Sequence, residues 1–93
     1  MTIRFTFKAQ KDIQLIYDHI AAENPSAASR VVSAIETATR RLSTFPRSGR
    51  AGAVETTREL IVQRLPYIVV YRINGDIIEI IGVFHAARDL PRG

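Results

Sequence analysis

The chain has 93 residues, of which 46% are hydrophobic and 24% charged, and it contains no cysteine. This composition excludes a disordered or fibrous protein, a disulfide framework and a cysteine-based zinc site, and it predicts a single small domain over residues 1–93. Thirteen basic against nine acidic residues give a net charge of +4, and eleven of the thirteen are arginines, whose guanidinium groups favour an anionic or acidic partner.

The first residues predict a half-buried strand. Apolar Ile3, Phe5 and Phe7 alternate with polar residues between positions 1 and 8, with the period of two that is typical of a strand. The longest apolar run, 67–71, has five residues, far short of the roughly 18 that span a bilayer. We therefore expect a cytoplasmic protein with no signal peptide and no membrane contact.

Two amphipathic helices follow this strand. Apolar residues recur at three- and four-residue spacing over positions 9–23 and again from Pro25 to about Leu42. Asn24 is suited to cap the second helix, and Pro25 is suited to its first position. The pattern therefore predicts a hairpin of two helices, which ends at Phe45-Pro46.

The second half of the chain predicts strands. Residues 47–52 are interpreted as a loop with a tight turn at its glycines, and residues 57–65 as a strand of undetermined facing. Strands over 67–73 and 77–84 flank Asn74-Gly75, the dipeptide typical of a type I′ hairpin turn. A two-residue loop at these positions places Ile73 opposite Asp76, so that paired positions sum to 149 along the hairpin.

The two faces of this predicted hairpin differ. One face is apolar and is expected to pack on the helices: Tyr67, Val69, Tyr71, Ile73, Ile78, Ile80 and Phe84. The opposite face mixes charged residues and His85 with five large aliphatic residues: Ile68, Val70, Ile77, Ile81 and Val83. The predicted fold is α+β, with the helical hairpin on one face of an antiparallel sheet of about four strands in the order β-α-α-β-β-β.

The five aliphatic residues of the mixed face would form an apolar patch in contact with water. Such a patch usually marks a protein–protein surface, and the arginines near it suit an acidic, amphipathic partner. We therefore expect this face to bind a protein. Alternatively, the last eight residues of the chain or a second copy of the chain cover this apolar patch.

The order of these segments resembles the RelE/ParE toxin superfamily. The resemblance is carried by the closing hairpin, residues 66–73 (PYIVVYRI) and 77–89 (IIEIIGVFHAARD), by the link 45–50 (FPRSGR), by the return strand 57–60 (TREL), and by the helical hairpin with Asn24-Pro25. Nearly the whole chain is covered. The resemblance implies the toxin of a type II toxin–antitoxin module that stabilises plasmids, held inactive by a cognate antitoxin in a hetero-oligomer.

The superfamily has two activities, and the sequence leaves both open. A ribosome-dependent ribonuclease cuts mRNA without metal and requires a base, an acid and cationic groups around one phosphate. The candidates for that chemistry are Arg72, Glu79, His85 and Arg88. Alternatively, Arg72 and Glu79 form a structural ion pair, and His85 caps the end of its strand through a bond between its ring and the backbone.

The ParE-like branch inhibits DNA gyrase and needs no catalytic cluster. The chain has no lysine after Lys11 and no aromatic residue after Phe84, which favours this branch over the ribonuclease. Arg88 and Arg92 are then the candidates for contact with the target, because they follow the core strands. Neither branch implies a cofactor or a metal. A homologue without toxicity is the third alternative.

Overall fold

The computed structural model describes residues 1–89 of the chain. It contains two helices and five strands: β1 (Thr2–Phe5), α1 (Phe7–Ala21), α2 (Pro25–Arg41), β2 (Arg50–Ala51), β3 (Arg58–Ile61), β4 (Tyr67–Asn74) and β5 (Ile77–His85). The strands form one sheet in the order β1-β5-β4-β3-β2. The pairing of β1 with β5 is parallel, and the other three pairings are antiparallel.

This architecture confirms the predicted α+β fold and adds one strand to it. The short strand β2 lies in the segment that was interpreted as a loop, and it pairs only with Arg58 and Glu59 of β3. The sheet is mixed rather than purely antiparallel, because the N-terminal strand runs parallel to β5. Among the described residues, no helix is long and apolar enough to cross a membrane.

Both helices begin at capping residues. The Asn24 side chain accepts a hydrogen bond from the Ala27 N–H at 3.0 Å, which confirms its predicted role at the start of α2. Thr6 caps α1 by accepting from the Ala9 N–H at 3.1 Å, and its hydroxyl lies 3.0 Å from the Ile80 carbonyl oxygen of β5. The Thr6 side chain thus joins the start of α1 to the sheet.

A second contact holds α1 on β5. The Asp12 carboxylate accepts a hydrogen bond from the Val83 N–H at 3.0 Å and forms an ion pair with Lys8 at 2.8 Å. Asp12 and Val83 are 71 residues apart in the sequence. The carboxylate is therefore a long-range restraint that fixes where the helix crosses the last strand.

The turn of the β4–β5 hairpin lies one residue later than predicted. Asn74 pairs with Ile77, so paired positions next to the turn sum to 151, and the two-residue loop is Gly75-Asp76. Gly75 has a φ of 63°, whereas Asn74 remains in the strand. A glycine in the first loop position supplies the positive φ that this turn requires, so the predicted register and the type I′ turn are wrong.

A β-bulge in β5 changes the facing of its last residues. Ile80 lies opposite Tyr71 and Gly82 lies opposite Val70, so Ile81 is an extra residue without a partner on β4. Every residue after Ile81 consequently faces the side opposite to the one predicted from parity.

The bulge corrects two of the predicted placements. Val83, which was expected on the mixed face, is 4% exposed and belongs to the hydrophobic core. Phe84, which was expected in the core, pairs with Ile68, and neither side chain belongs to the core cluster. The parity argument failed because it assumed an uninterrupted ladder.

The hydrophobic core otherwise lies where the sequence predicts it. The helices and the apolar face of the sheet meet in one cluster of buried residues: Ala9, Ile35, Leu42, Val62, Tyr67, Val69, Tyr71, Ile78, Ile80 and Val83. The facing of β3 is now determined as well. Arg58 and Leu60 lie opposite the core residues Tyr71 and Val69, while Glu59 and Ile61 face the other side.

Tyr71 fixes the link between α2 and the sheet. Its hydroxyl donates to the Pro46 carbonyl at 2.7 Å and accepts from the Gly49 N–H at 2.9 Å. A Cβ atom at Gly49 would lie 2.7 Å from the Tyr71 ring and hydroxyl, so glycine is required there for close approach and not for a positive φ. Arg58 supports the same segment by donating to the Gly49 carbonyl at 2.7 Å.

Replacement of Tyr71 by phenylalanine should destabilise the protein by about 1–3 kcal/mol, because the Gly49 N–H and the Pro46 carbonyl lose their shared partner. Tyr67→Phe is the matched control, since the Tyr67 hydroxyl makes no hydrogen bond within residues 1–89. We expect the control to change stability by less than about 0.5 kcal/mol. Urea unfolding measures both variants, and equal losses would contradict the assigned role of Tyr71.

Candidate functional site

Arg72 and Glu79 form an ion pair on the face of the sheet away from the helices. They lie directly opposite each other on β4 and β5, with 3.2 Å between Arg72 Nε and Glu79 Oε1. Arg4 of β1 lies on the other side of Glu79 in the sheet. An exposed ion pair of this kind contributes about 0.2–1 kcal/mol to folding stability. This fits the structural ion pair that was one of the two interpretations of Arg72 and Glu79 from the sequence.

His85 and Arg88 lie at the opposite end of β5. Six positions separate Glu79 from His85, and at ~3.3 Å per residue the two are about 20 Å apart along the strand. The four candidate catalytic residues therefore form two separate pairs, one near the hairpin turn and one beyond the end of β5. Arg92, the other candidate for contact with the target, lies outside the described residues.

His85 organises the turn that follows β5. Its ring Nδ1 accepts hydrogen bonds from the backbone N–H groups of Ala87 and Arg88, at 3.1 and 3.2 Å. Its own N–H donates to the Asp89 carboxylate at 3.1 Å, and its carbonyl accepts from the Asp89 N–H at 2.9 Å. The rings of Tyr67 and His85 pack in a T-shaped arrangement, with 5.4 Å between their centroids. The cap that was one of the two interpretations of His85 is therefore present.

The Arg88 side chain packs against α1. Its guanidinium Nη1 lies 3.5 Å from His19 Nε2, and both residues line a cavity of about 230 Å³ together with Asp12 and Asp89. His19 is a residue at this end of the sheet that the sequence analysis did not single out. The signal in the sequence that could have identified His19 is its seven-residue spacing from Asp12, which places both residues on one side of α1.

The mixed face is less open than its sequence predicts. Ile68 and Val83 are 5% and 4% exposed, whereas Val70, Ile77 and Ile81 are half-buried. The residues expected to bind the antitoxin therefore divide into two that the fold covers and three that remain partly accessible.

A second apolar surface lies between α2 and β3. It is a groove of about 410 Å³ whose lining includes Ala34, Ala38, Arg41, Phe45, Leu60 and Ile61. Phe45 and Ile61 are 56% and 53% exposed. Within residues 1–89, β2 pairs only with Arg58 and Glu59, so the rest of that edge of β3 has no partner strand beside this groove.

The described residues contain no group of three or more His, Asp or Glu side chains placed to hold a metal ion. The chemical groups at the end of β5 are instead two imidazoles, two carboxylates and one guanidinium, held by hydrogen bonds to each other and to the backbone. This arrangement can present a cation on a fixed turn.

Comparisons with known proteins agree over nearly the whole chain. The profile of a family described as the ParE toxin of the type II toxin-antitoxin system, parDE, matches residues 3–90. A protein named putative toxin Y4kP from Sinorhizobium fredii is 42% identical over 90 residues, which cover 97% of this chain and 93% of that protein. A protein named toxin RelE2 from Caulobacter vibrioides is 36% identical over 84 residues, covering 90% and 93%.

Two solved structures share the fold. A chain of the chromosomal ParDE toxin–antitoxin system from P. aeruginosa superposes with a TM-score of 0.83 at 28% identity, covering 91% of this chain and 95% of that chain. A chain of the RelBE2 toxin–antitoxin complex from Mycobacterium tuberculosis superposes with a TM-score of 0.64 at 27% identity, covering 90% and 95%.

Proposed function

The chain belongs to the family of ParE toxins of type II toxin–antitoxin systems, and we propose that it arrests growth by binding and inhibiting DNA gyrase until a cognate antitoxin neutralises it. The observation that carries the choice of gyrase is the separation of the candidate catalytic residues. Arg72 and Glu79 lie about 20 Å from His85 along β5.

Cleavage of RNA without metal requires its chemical groups around a single phosphate. The base that removes the 2′-OH proton, the cation that stabilises the phosphorane and the acid at the leaving oxygen must all lie within hydrogen-bond reach of it. The pair Arg72–Glu79 and the pair His85–Arg88 cannot meet that condition together. Glu79 is moreover engaged by Arg72, and His85 Nδ1 by two backbone N–H groups.

A ribosome-dependent ribonuclease acting on mRNA is the second candidate function. The observations that favour it are the 36% identity to a protein named toxin RelE2 and the likeness to a chain of the RelBE2 complex. The better superposition with a chain of the ParDE system, at a TM-score of 0.83 against 0.64, supports gyrase instead.

Contact with gyrase is assigned to the C-terminal arginines. Arg88 is exposed on the turn after β5, where its side chain can reach an acidic or anionic surface. Arg92 follows four residues later in the sequence. A binding inhibitor of this kind needs surface complementarity and no bond-making step.

The antitoxin is assigned to the apolar surfaces that the fold leaves accessible. These are the half-buried residues Val70, Ile77 and Ile81 of the mixed face and the groove between α2 and β3. Arg41 at the groove suits an acidic, amphipathic segment, and the open edge of β3 can accept an extended backbone.

Aspartate at Val70 or at Ile61 should weaken the copurified antitoxin complex by tenfold or more, because each places a charge on apolar contact surface. Ser29→Asp is the control, since it adds the same charge at an exposed polar position of α2. Binding is measured by titration calorimetry after circular dichroism has established equal folding. Unchanged affinity in both test variants would reject these surfaces.

Expression without antitoxin should inhibit supercoiling by gyrase and leave transcripts intact. The double variant Arg88→Ala/Arg92→Ala should abolish growth arrest while sparing antitoxin binding, whereas Arg72→Ala should retain toxicity. Supercoiling by purified gyrase and primer extension on mRNA are the two measurements. Codon-positioned cuts that vanish in Arg72→Ala, with gyrase unaffected, would establish the ribonuclease instead.

A further inference from the structure

Within residues 1–89, His85 makes four hydrogen bonds, and all four close the turn that carries Arg88. Two reach its ring Nδ1 from the N–H groups of Ala87 and Arg88, and two join its backbone to Asp89. The Ala86 N–H also donates to the Pro66 carbonyl at 2.7 Å, which ties the start of the turn to β4. The His85 imidazole therefore restrains the backbone of Arg88.

The state of the His85 ring follows from these contacts. Because Nδ1 accepts two N–H groups, the ring proton lies on Nε2. The Tyr67 ring packs perpendicular to the imidazole and restrains its orientation. Within residues 1–89, the ring nitrogen of His85 that forms hydrogen bonds is Nδ1. A catalytic acid or base would act instead through a nitrogen that is free to exchange its proton.

We propose that His85 is a positioning residue for target binding: its Nδ1 fixes the turn so that the Arg88 guanidinium is presented beside His19 on α1. This inference rests on the proposed function, since it takes Arg88 as a contact with gyrase. A turn without these hydrogen bonds would have to become ordered when the protein binds its target, at a cost in conformational entropy. Because the imidazole already orders the turn, the entropic cost of binding is lower.

Two amide side chains separate this role from acid–base chemistry. In asparagine, Oδ1 occupies the position of Nδ1 and can accept the same two N–H groups. In glutamine, the terminal amide reaches the position of Nε2 and leaves the two N–H groups without that acceptor. Neither amide can transfer a proton as an imidazole does, so a catalytic histidine would be lost in both variants.

The test measures the concentration of purified protein that halves supercoiling by gyrase. We expect His85→Asn to stay within about threefold of the wild type, and His85→Gln to be about tenfold weaker, because two hydrogen bonds are lost. The double variant His85→Gln/Arg88→Ala should be no weaker than Arg88→Ala alone, since both changes remove one interaction. Antitoxin affinity should not change in any variant, and circular dichroism should show that every variant is folded, with His85→Gln unfolding at a lower temperature than His85→Asn because it lacks the two hydrogen bonds.

Three results of the supercoiling measurement would overturn the proposal. Equal losses in His85→Asn and His85→Gln would assign the function to Nε2. Full activity of His85→Gln would show that the turn needs no such restraint. Additive losses in the double variant would show that His85 acts independently of Arg88.

Amide exchange separates this inference from a failure of the proposed function. In the isolated protein, the Ala87 and Arg88 amides should exchange slowly in the wild type and in His85→Asn, and faster in His85→Gln. If the three proteins show this exchange pattern but the wild type leaves gyrase unaffected, gyrase is rejected as the target while the restraint of the turn by His85 is supported. Equal exchange in all three proteins would overturn the role of His85.

Discussion

A single extra residue in β5 determines what the last strand presents to the core and to the surface. Ile81 has no partner on β4, and after it the strand exchanges faces. Val83 therefore enters the core, where its N–H meets the Asp12 carboxylate of α1. His85 comes to lie opposite Tyr67, and its ring can reach the backbone of the turn. Without the bulge, the core contact, the helix contact and the cap would each lie on the wrong face.

The same strand supports the proposal that the protein acts by binding rather than by catalysis. Its two ends carry the polar groups that could do chemistry, and the apolar middle of the strand separates them. One end holds an exposed ion pair, and the other holds a hydrogen-bonded turn with an arginine. Under the proposed function, this sheet displays cations and apolar patches at fixed distances, so that a target and an antitoxin can bind on separate surfaces.

The sequence predicted the features of this fold that depend on interactions between residues close together in the chain. Helix periodicity, the Asn24 cap and the apolar face around Val69 and Ile80 follow from neighbours in the chain. The hairpin register was wrong because Asn74-Gly75 and Gly75-Asp76 both suit a two-residue turn, and only the pairing decides between them. The bulge was missed because it depends on contacts between distant residues. Likewise, the approach of Arg88 to His19 spans 69 positions of the sequence.

A protein that acts by occupying its target, as proposed, is used up in a fixed ratio to that target, whereas an enzyme acts many times, so stoichiometry distinguishes the two modes of action. Purified protein is titrated against a fixed amount of gyrase, and in parallel against translating ribosomes that carry a reporter mRNA. We expect supercoiling to fall in proportion to the added protein until a fixed ratio to gyrase is reached, while the mRNA stays intact. Many transcripts cut by each molecule of protein, with gyrase unaffected, would contradict it.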